Sequence, residues 1–296
     1  MAERVWNVRD ALEWTAGFLE SKGDESPRVA AQWLLSAATG LTRVELYAYH
    51  DRPLSPDERA RYRELVARRA EGMPLQYVTG EMPFRHLVIH VEPGVFIPRP
   101  ETEVLVDEAL AAVDALAEKT TPLVIDLCTG SGCVAVSVAH EREHAHVHAT
   151  DVSAAAVGAA RRNALHAGVE NRVQVVHGDL FEPLPRDLAG HVDVIVSNPP
   201  YIPSADLPDL PAEVLGFEPR TALDGGADGL SVARRIWGEG ARWLRPGGTL
   251  ALELDAGRVR DAAREIGDAY TDVRVREDLT GRDRILVARK REAMES

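Results

Sequence analysis

Residues 124–139 read VIDLCTGSGCVAVSVA. An apolar run ends near Asp126, breaks at Gly130-Ser131-Gly132, and resumes with helical character. Glycines at such a break permit tight turning and let a ligand approach the backbone. A strand, a glycine turn and a helix form the opening unit of a parallel sheet, and the chain repeats that alternation. Strand candidates are PLVIDLC (122–128), HVHATD (146–151), RVQVVHGD (172–179), VDVIVSN (192–198) and GTLALELD (248–255). Helix candidates fall at 132–143, 153–167, 230–245 and 257–269. The pattern predicts an α/β, doubly wound sheet with helices on both faces. Two last runs, DVRVRED (272–278) and DRILVARK (283–290), flank a short loop containing LTG. No helix fits between them, so they are expected to pair antiparallel and close a seven-stranded sheet.

Upstream of this unit the character differs. Residues 1–75 read as a small helical domain. Val8, Leu12 and Leu19 share helical spacing in a segment that stops at Gly23. Ser26-Pro27 and Ser55-Pro56 each look like an N-cap followed by proline at the first helical position, with Gly40 and Gly72 as stops. Residues 76–100 then alternate, and Pro93-Gly94 is expected to turn a β-hairpin linking two domains. ETEVLVDEALAAVDALAEK (101–119) is expected to be a helix opening the third segment, 101–296.

Length and composition bound the function. The chain has 296 residues, 45% of them hydrophobic, enough for two domains. Its net charge of −13 argues against a dedicated nucleic-acid binder, whose affinity comes from neutralising phosphates. Its two cysteines, Cys128 and Cys133, form neither a C-x-x-C pair nor a disulfide framework and are expected to pack near the loop. MAERVWNVRDALEW lacks the pattern of a signal peptide, and no run reaches membrane-span length. A cytoplasmic location is expected. HEREHAHVH (140–148) and the arginine runs at 58–69 and 159–163 read as solvated edges and faces, so no metal site is expected.

Three acids close three successive strands: Asp126, Asp151 and Asp179. Ligands of doubly wound sheets sit at these carboxyl ends, near the switch in strand order. Asp151, about 20 residues beyond the glycine turn, suits ribose hydroxyls. Asp179, followed by Leu180 and Phe181, suits the edge and face of an adenine. The pyrophosphate fingerprint G-x-G-x-x-G is absent, because Ala135 stands where its last glycine would be. A nucleoside without phosphates, such as S-adenosylmethionine, fits better.

SNPPY (197–201) ends the fourth strand, beside the first. With the glycine turn, it resembles the class I S-adenosylmethionine-dependent methyltransferases that modify planar, conjugated nitrogens. Such a nitrogen has a delocalised lone pair and is a poor nucleophile. The Asn198 side-chain oxygen and the Pro199 carbonyl would accept its two N–H bonds, Pro199-Pro200 would stiffen the corner, and Tyr201 would stack on the planar group. Rate would come from alignment and polar preorganisation.

A narrower resemblance covers nearly the whole chain. PLQYVTGEMPFRHLVIHVEPGVFIPRPETE, DLCTGSG, SNPPYIP, FEPRTALDGGADGL and DLTGRDRILVARK occur in the order found in release-factor glutamine methyltransferases (the PrmC/HemK family). This implies methylation of the amide nitrogen of glutamine in the Gly-Gly-Gln tripeptide of class 1 peptide chain release factors. It implies a cofactor site of Asp126, Cys128, Thr129, Gly130, Ser131, Gly132, Asp151, Asp179, Leu180 and Asn198. Asn198, Pro199, Pro200 and Tyr201 would line the glutamine, with Phe96, Arg99 and Glu101 nearby and the N-terminal helices docking the factor. ALELDAGR (251–258) departs from the family pattern, which often carries glycine or histidine soon after the glutamate. A monomer with no membrane and no direct nucleic-acid substrate is expected. Two rivals remain at this point: a nucleic-acid N-methyltransferase acting on an adenine or guanine amino group, and a non-catalytic binding protein that holds the cofactor structurally.

Overall fold

The computed structural model describes residues 5–116 and 121–292, which divide into two compact units. The first takes in Met1–Glu81 and Pro211–Phe217. It is helical: α1 (Val8–Ser21), α2 (Pro27–Thr39), α3 (Arg43–Ala48), α4 (Pro56–Ala70) and α5 (Leu75–Thr79). Val8, Leu19, Leu34, Leu35, Leu46, Tyr62 and Val66 form its core. Ser55 caps α4 in a reciprocal capping box with Glu58, as its sequence pattern requires. Ser26 precedes Pro27 but makes no side-chain cap: its ψ of 52° departs from the extended backbone of a capping residue, and its N–H donates to Asp24. The unit also holds a short helix from much later in the chain, α9 (Ala212–Phe217). Arg69 pairs with both Asp24 at 2.7 Å and Glu213 at 3.0 Å, fixing that later helix to α4.

The second unit comprises Met82–Leu210 and Glu218–Ser296. Strands β1 (Glu81–Phe84) and β2 (Leu87–His90) form a two-stranded ribbon. Its turn is Arg85-His86, not Pro93-Gly94 as the alternation suggested. Arg85 holds a left-handed backbone (φ 52°) because its side chain pairs with Glu141 and Asp107 and its N–H donates to Glu103. Pro93-Gly94 forms a separate turn beyond the ribbon, closed by Val95 N–H donating to the Glu92 carbonyl. Helix α6 (Thr102–Asp114) follows. Residues 117–119, assigned to this helix from the sequence, lie outside the described residues, as do residues 1–4 of the N-terminal segment.

The main sheet contains β3 (Leu123–Leu127), β4 (His146–Asp151), β5 (Val173–His177), β6 (Val192–Ser197), β7 (Leu244–Glu253), β8 (Tyr270–Glu277) and β9 (Asp283–Lys290). Their order is β5-β4-β3-β6-β7-β9-β8, so the switch point lies between β3 and β6. The first five strands run parallel, and β9 is antiparallel to both β7 and β8. Insertion of the last strand inside the edge follows from patterning. Ile285, Leu286, Val287 and Ala288 of β9 are all fully buried, while β8 carries exposed charges suited to an unpaired edge. Helices α7 (Cys133–Glu141), α8 (Ala154–His166), α10 (Ser231–Trp243) and α11 (Val259–Glu265) cover the sheet. The last is shorter than the sequence span 257–269, because an Asp255 turn precedes it and Gly267, at φ 83°, follows it. Within ALELDAGR, the Asp255 carboxylate accepts the Gly257 N–H.

Candidate active site

The carboxyl ends of the parallel strands β5, β4, β3 and β6 line one edge of the sheet, with the switch point between β3 and β6, and the glycine loop rises from β3. Gly132 needs its missing side chain, since an added Cβ would stand 2.8 Å from Ala160 Cβ on α8. Gly130 faces open space, where an added Cβ would meet nothing within 4 Å. The loop therefore packs tightly on its helix side and stays open on its cleft side. Cys128, at φ 57°, enters it in a left-handed conformation unusual for a side-chain-bearing residue. Burial pushes the Cys128 thiol up and the Cys133 thiol up to about 12, so neither is a ready nucleophile.

The three strand-end acids differ in their surroundings. Asp126 is 1% exposed and turns beneath the loop, where Oδ2 accepts the Thr129 hydroxyl at 2.6 Å and the Ala135 N–H at 3.2 Å. Burial raises its carboxyl to about 7, against the pull of those hydrogen bonds. It braces the loop from behind. Asp151 accepts the Gly130 N–H on one oxygen and the Ser153 N–H on the other, and burial raises its carboxyl above the usual range. Each oxygen retains acceptor capacity for a diol. Asp179 pairs with Arg235 at 2.7 Å. Leu180, at φ 48°, is fixed by its carbonyl, which accepts the Thr150 hydroxyl. Phe181 is not available to a ligand, because it is buried and stacks on Trp243 at 5.4 Å. These features fit a nucleoside without phosphates: an open glycine edge and acidic acceptors at successive strand ends.

At the end of β6, the Ser197 hydroxyl donates to the Leu127 carbonyl, joining the strands across the switch. Asn198 Nδ2 donates to Thr102 Oγ1 at 3.2 Å, so its amide is held by the nitrogen end. Pro199 is buried and Pro200 half-buried. The Tyr201 ring lies under the Arg284 guanidinium, 5.4 Å from its centre, and burial raises the phenol to about 12. Arg99 sits over the Phe96 ring at 4.7 Å and pairs with the buried Glu218, while Glu101 pairs with Arg282.

Several contributors have no role that the sequence pattern assigns. The segment 220–230 splints the Pro-Pro corner: Ile202 N–H donates to the Leu223 carbonyl, and Gly225 N–H to the Ile202 carbonyl. Asn163 on α8 donates to the Ser131 and His90 carbonyls, tying the loop to β2. Asp278 organises the β8–β9 turn through Thr280 and Arg282 and lies beside Arg284. The glycines of LDGGADGL were a visible signal, but their partner was not. Thr102, Glu253 and Asn163 carried no local signal. Among the described residues no three His, Cys, Asp or Glu side chains could jointly hold a metal ion, and no helix is long and apolar enough to cross a membrane.

A model described as the PrmC N-terminal domain matches residues 10–80, and one described as a methyltransferase small domain matches residues 87–210. Among solved structures, a methyltransferase from Pyrococcus furiosus has a TM-score of 0.50 at 20% identity, covering 69% of this chain and 89% of its own. The hMettl16 catalytic domain, solved with the MAT2A 3'UTR hairpin 6, has a TM-score of 0.53 at 16% identity, covering 78% and 83%. Both show the shared fold. The chain is an S-adenosylmethionine-dependent methyltransferase. A release factor glutamine methyltransferase of Geobacter sulfurreducens is 44% identical over 286 residues, covering 96% of this chain and 97% of its own. That of Moorella thermoacetica is 45% identical over 288 residues, covering 96% and 99%. The chain belongs to the release factor glutamine methyltransferase family.

Proposed function

We propose that the protein transfers the methyl group of S-adenosylmethionine to the side-chain amide nitrogen of the glutamine in the Gly-Gly-Gln tripeptide of class 1 peptide chain release factors. Full-length similarity to enzymes of that name supports this. The observation that carries the chemistry is the Asn198 amide, held through Nδ2 by Thr102, which leaves Oδ1 as the acceptor for a substrate amide. When bound, S-adenosylmethionine supplies an electrophilic methyl group on a sulfonium centre.

The chain's own residues bind and orient. Cys128 to Gly132 line the donor's amino-acid end, Asp126 braces them, Asp151 takes ribose hydroxyls, and Asp179 with Leu180 flanks the base. Asn198 Oδ1 and the Pro199 carbonyl accept the two N–H bonds of the glutamine amide. The nitrogen lone pair is thereby turned toward the donor, and Tyr201 covers the amide plane. No general base is required before transfer, because the proton leaves after the nitrogen has gained its methyl group.

Residues 1–75 are assigned to docking the rest of the factor, residues 76–100 to linking, and residues 101–296 to catalysis. The helical unit carries an apolar cleft of about 380 Å³ lined by Trp6, Trp14, Phe18, Leu54, Tyr62 and Val66, with Arg59 and Arg63 at its rim. Trp14 is 54% exposed yet stacks on Phe18. Exposed aromatic anchors of this kind dominate many protein interfaces. The protein is taken to work in the cytoplasm as a monomer on a protein substrate, without a direct nucleic-acid substrate.

Mass spectrometry of the Gly-Gly-Gln peptide after incubation of purified release factor, with and without the enzyme, tests this reading. A 14 Da increase on the glutamine is expected from one methylation, about one CH₂ group by the balance of transfer. Methyl incorporation into RNA or DNA with none in the factor would reverse it.

A further inference from the structure

Asn198 presents either its oxygen or its NH₂ to the cleft, and only the first orientation accepts a substrate amide. The buried contacts behind it decide which. Thr102, the first residue of α6, is 1% exposed, and its hydroxyl accepts from Asn198 Nδ2 at 3.2 Å. The Glu253 carboxyl is a neighbour of the same hydroxyl, whose influence favours its ionised form. Glu253 ends β7 and is also 1% exposed, with its Oε2 lacking any hydrogen-bond partner among the described residues. Register places Ser197 beside Leu252, so Asn198 and Glu253 are the next positions on neighbouring strands.

We propose that Glu253 and Thr102 are positioning residues that set the flip state of the Asn198 amide. A hydroxyl has one proton to donate. An ionised Glu253 only accepts, so the Thr102 hydroxyl directs its one hydrogen to it. Thr102 is then left with lone pairs alone toward Asn198, and Nδ2 must turn to it. Oδ1 consequently points away from Thr102. A protonated Glu253 permits the opposite polarity: the acid donates to Thr102, Thr102 donates to Oδ1, and Asn198 turns its NH₂ away from Thr102. Two NH₂ groups would then meet in the cleft. The relay passes no proton to the substrate and forms no covalent bond.

The groups around Glu253 bear on its charge. Arg99 and Glu101 face it from ahead of α6, Tyr201 from beyond β6, Arg284 from β9 and Cys133 from the start of α7. Burial dominates, raising the carboxyl to about 7, while the Thr102 hydroxyl, Arg284 and Arg99 oppose it. Activity should therefore be full above this range and fall as the pH drops through it.

The inference rests on the amide-clamp reading, and the variants separate the two. Purified release factor and S-adenosylmethionine are used at saturation, with full-length enzyme, and S-adenosylhomocysteine affinity serves as the check on folding. Thr102→Val is isosteric but has no hydroxyl. It should lower kcat at least tenfold, with S-adenosylhomocysteine affinity within twofold, and Thr102→Ser should restore kcat to within threefold. The wild type should lose kcat below about pH 7, Glu253→Gln should lose that acid limb, and Asp126→Asn should retain it. If Asn198→Ala lowers kcat but Thr102→Val does not, the relay is wrong and the clamp stands. Equal loss in Thr102→Val and Thr102→Ser, or an unchanged acid limb in Glu253→Gln, also overturns it. Full kcat in Asn198→Ala overturns the clamp and the relay together.

Discussion

Gly225 lies so close to the backbone of Pro200 that a β-carbon added to it would stand 2.7 Å from the Pro200 carbonyl oxygen. The same added atom would stand 2.7 Å from the Gly229 carbonyl oxygen, and Gly229 in turn packs on the carbonyl of Tyr201. The Pro-Pro corner is thus held from outside by a glycine-rich strip as well as by its own rings.

Gly225→Ala should therefore displace the corner. Overpacking against backbone costs about 1–3 kcal/mol, and kcat should fall at least tenfold because the amide clamp moves. Gly238→Ala, on the exposed face of α10 with nothing within 4 Å, is the control. It should leave kcat unchanged and raise stability by about 0.5–1 kcal/mol. Thermal melts and steady-state rates on both variants check this, and a fully active Gly225→Ala would show that the strip does not position the corner.

Asn198→Ala should abolish measurable turnover while leaving donor affinity within about tenfold, roughly 1.4 kcal/mol. Calorimetric titration with S-adenosylhomocysteine beside a methyl-transfer assay separates the two quantities. Donor affinity lost along with turnover would place Asn198 mainly on the donor.

Asp151→Ala should weaken donor binding at least tenfold. It removes the acceptor assigned to the ribose and also frees the N–H groups of Gly130 and Ser153 that Asp151 holds at 2.9 and 2.8 Å. Loss of a hydrogen bond to a charged group is worth about 1.5–3 kcal/mol. Equilibrium binding of S-adenosylhomocysteine measures it, and unchanged affinity would remove Asp151 from the site.

Asp126 gives stability a pH dependence of definite sign. Its folded carboxyl titrates at about 7, above the ordinary value of 3.8. Between those values the folded chain keeps a proton that the unfolded chain releases. This group's contribution is therefore greatest at low pH and declines as pH rises through the window. Asp126→Asn keeps an oxygen for both Thr129 and Ala135 and has no such term. Denaturant melts at pH 5 and pH 8 should show the asparagine variant gaining roughly 2–3 kcal/mol on the wild type over that interval. A constant difference would mean that Asp126 is ionised throughout.

Trp14→Ala should raise KM for intact release factor severalfold with little change in kcat, donor affinity or methylation of a short Gly-Gly-Gln peptide. The aromatic cluster lies in the helical unit, far along the chain from the methyl-transfer residues. Comparing intact factor with peptide isolates docking from chemistry, and an equal effect on both would end the docking role for this cleft.

The alternation of strands and helices was legible because it rests on short-range causes. Apolar periodicity defined β4 and α8 nearly to the residue, and glycine stops marked the loop at 130–132. A stiffened corner after the fourth strand was also legible, and Asn198, both prolines and Tyr201 follow directly on β6. The ribbon turn was not, because Arg85 adopts its left-handed backbone through carboxylates on α6 and α7 that no local pattern reveals.

Residue identity was enough to establish the order of elements, the glycine loop and the stiffened corner at the end of β6. Tertiary approach decided the orientation of the groups at that corner. Thr102 reaches Asn198 from 96 positions away, β9 enters the sheet inside β8, and Arg284 comes to lie over Tyr201. Steric preference and periodicity act between neighbours in the chain, so they can be read along it. Hydrogen bonds between buried groups and burial itself depend on which distant segments meet, and that exists only once the sheet has closed.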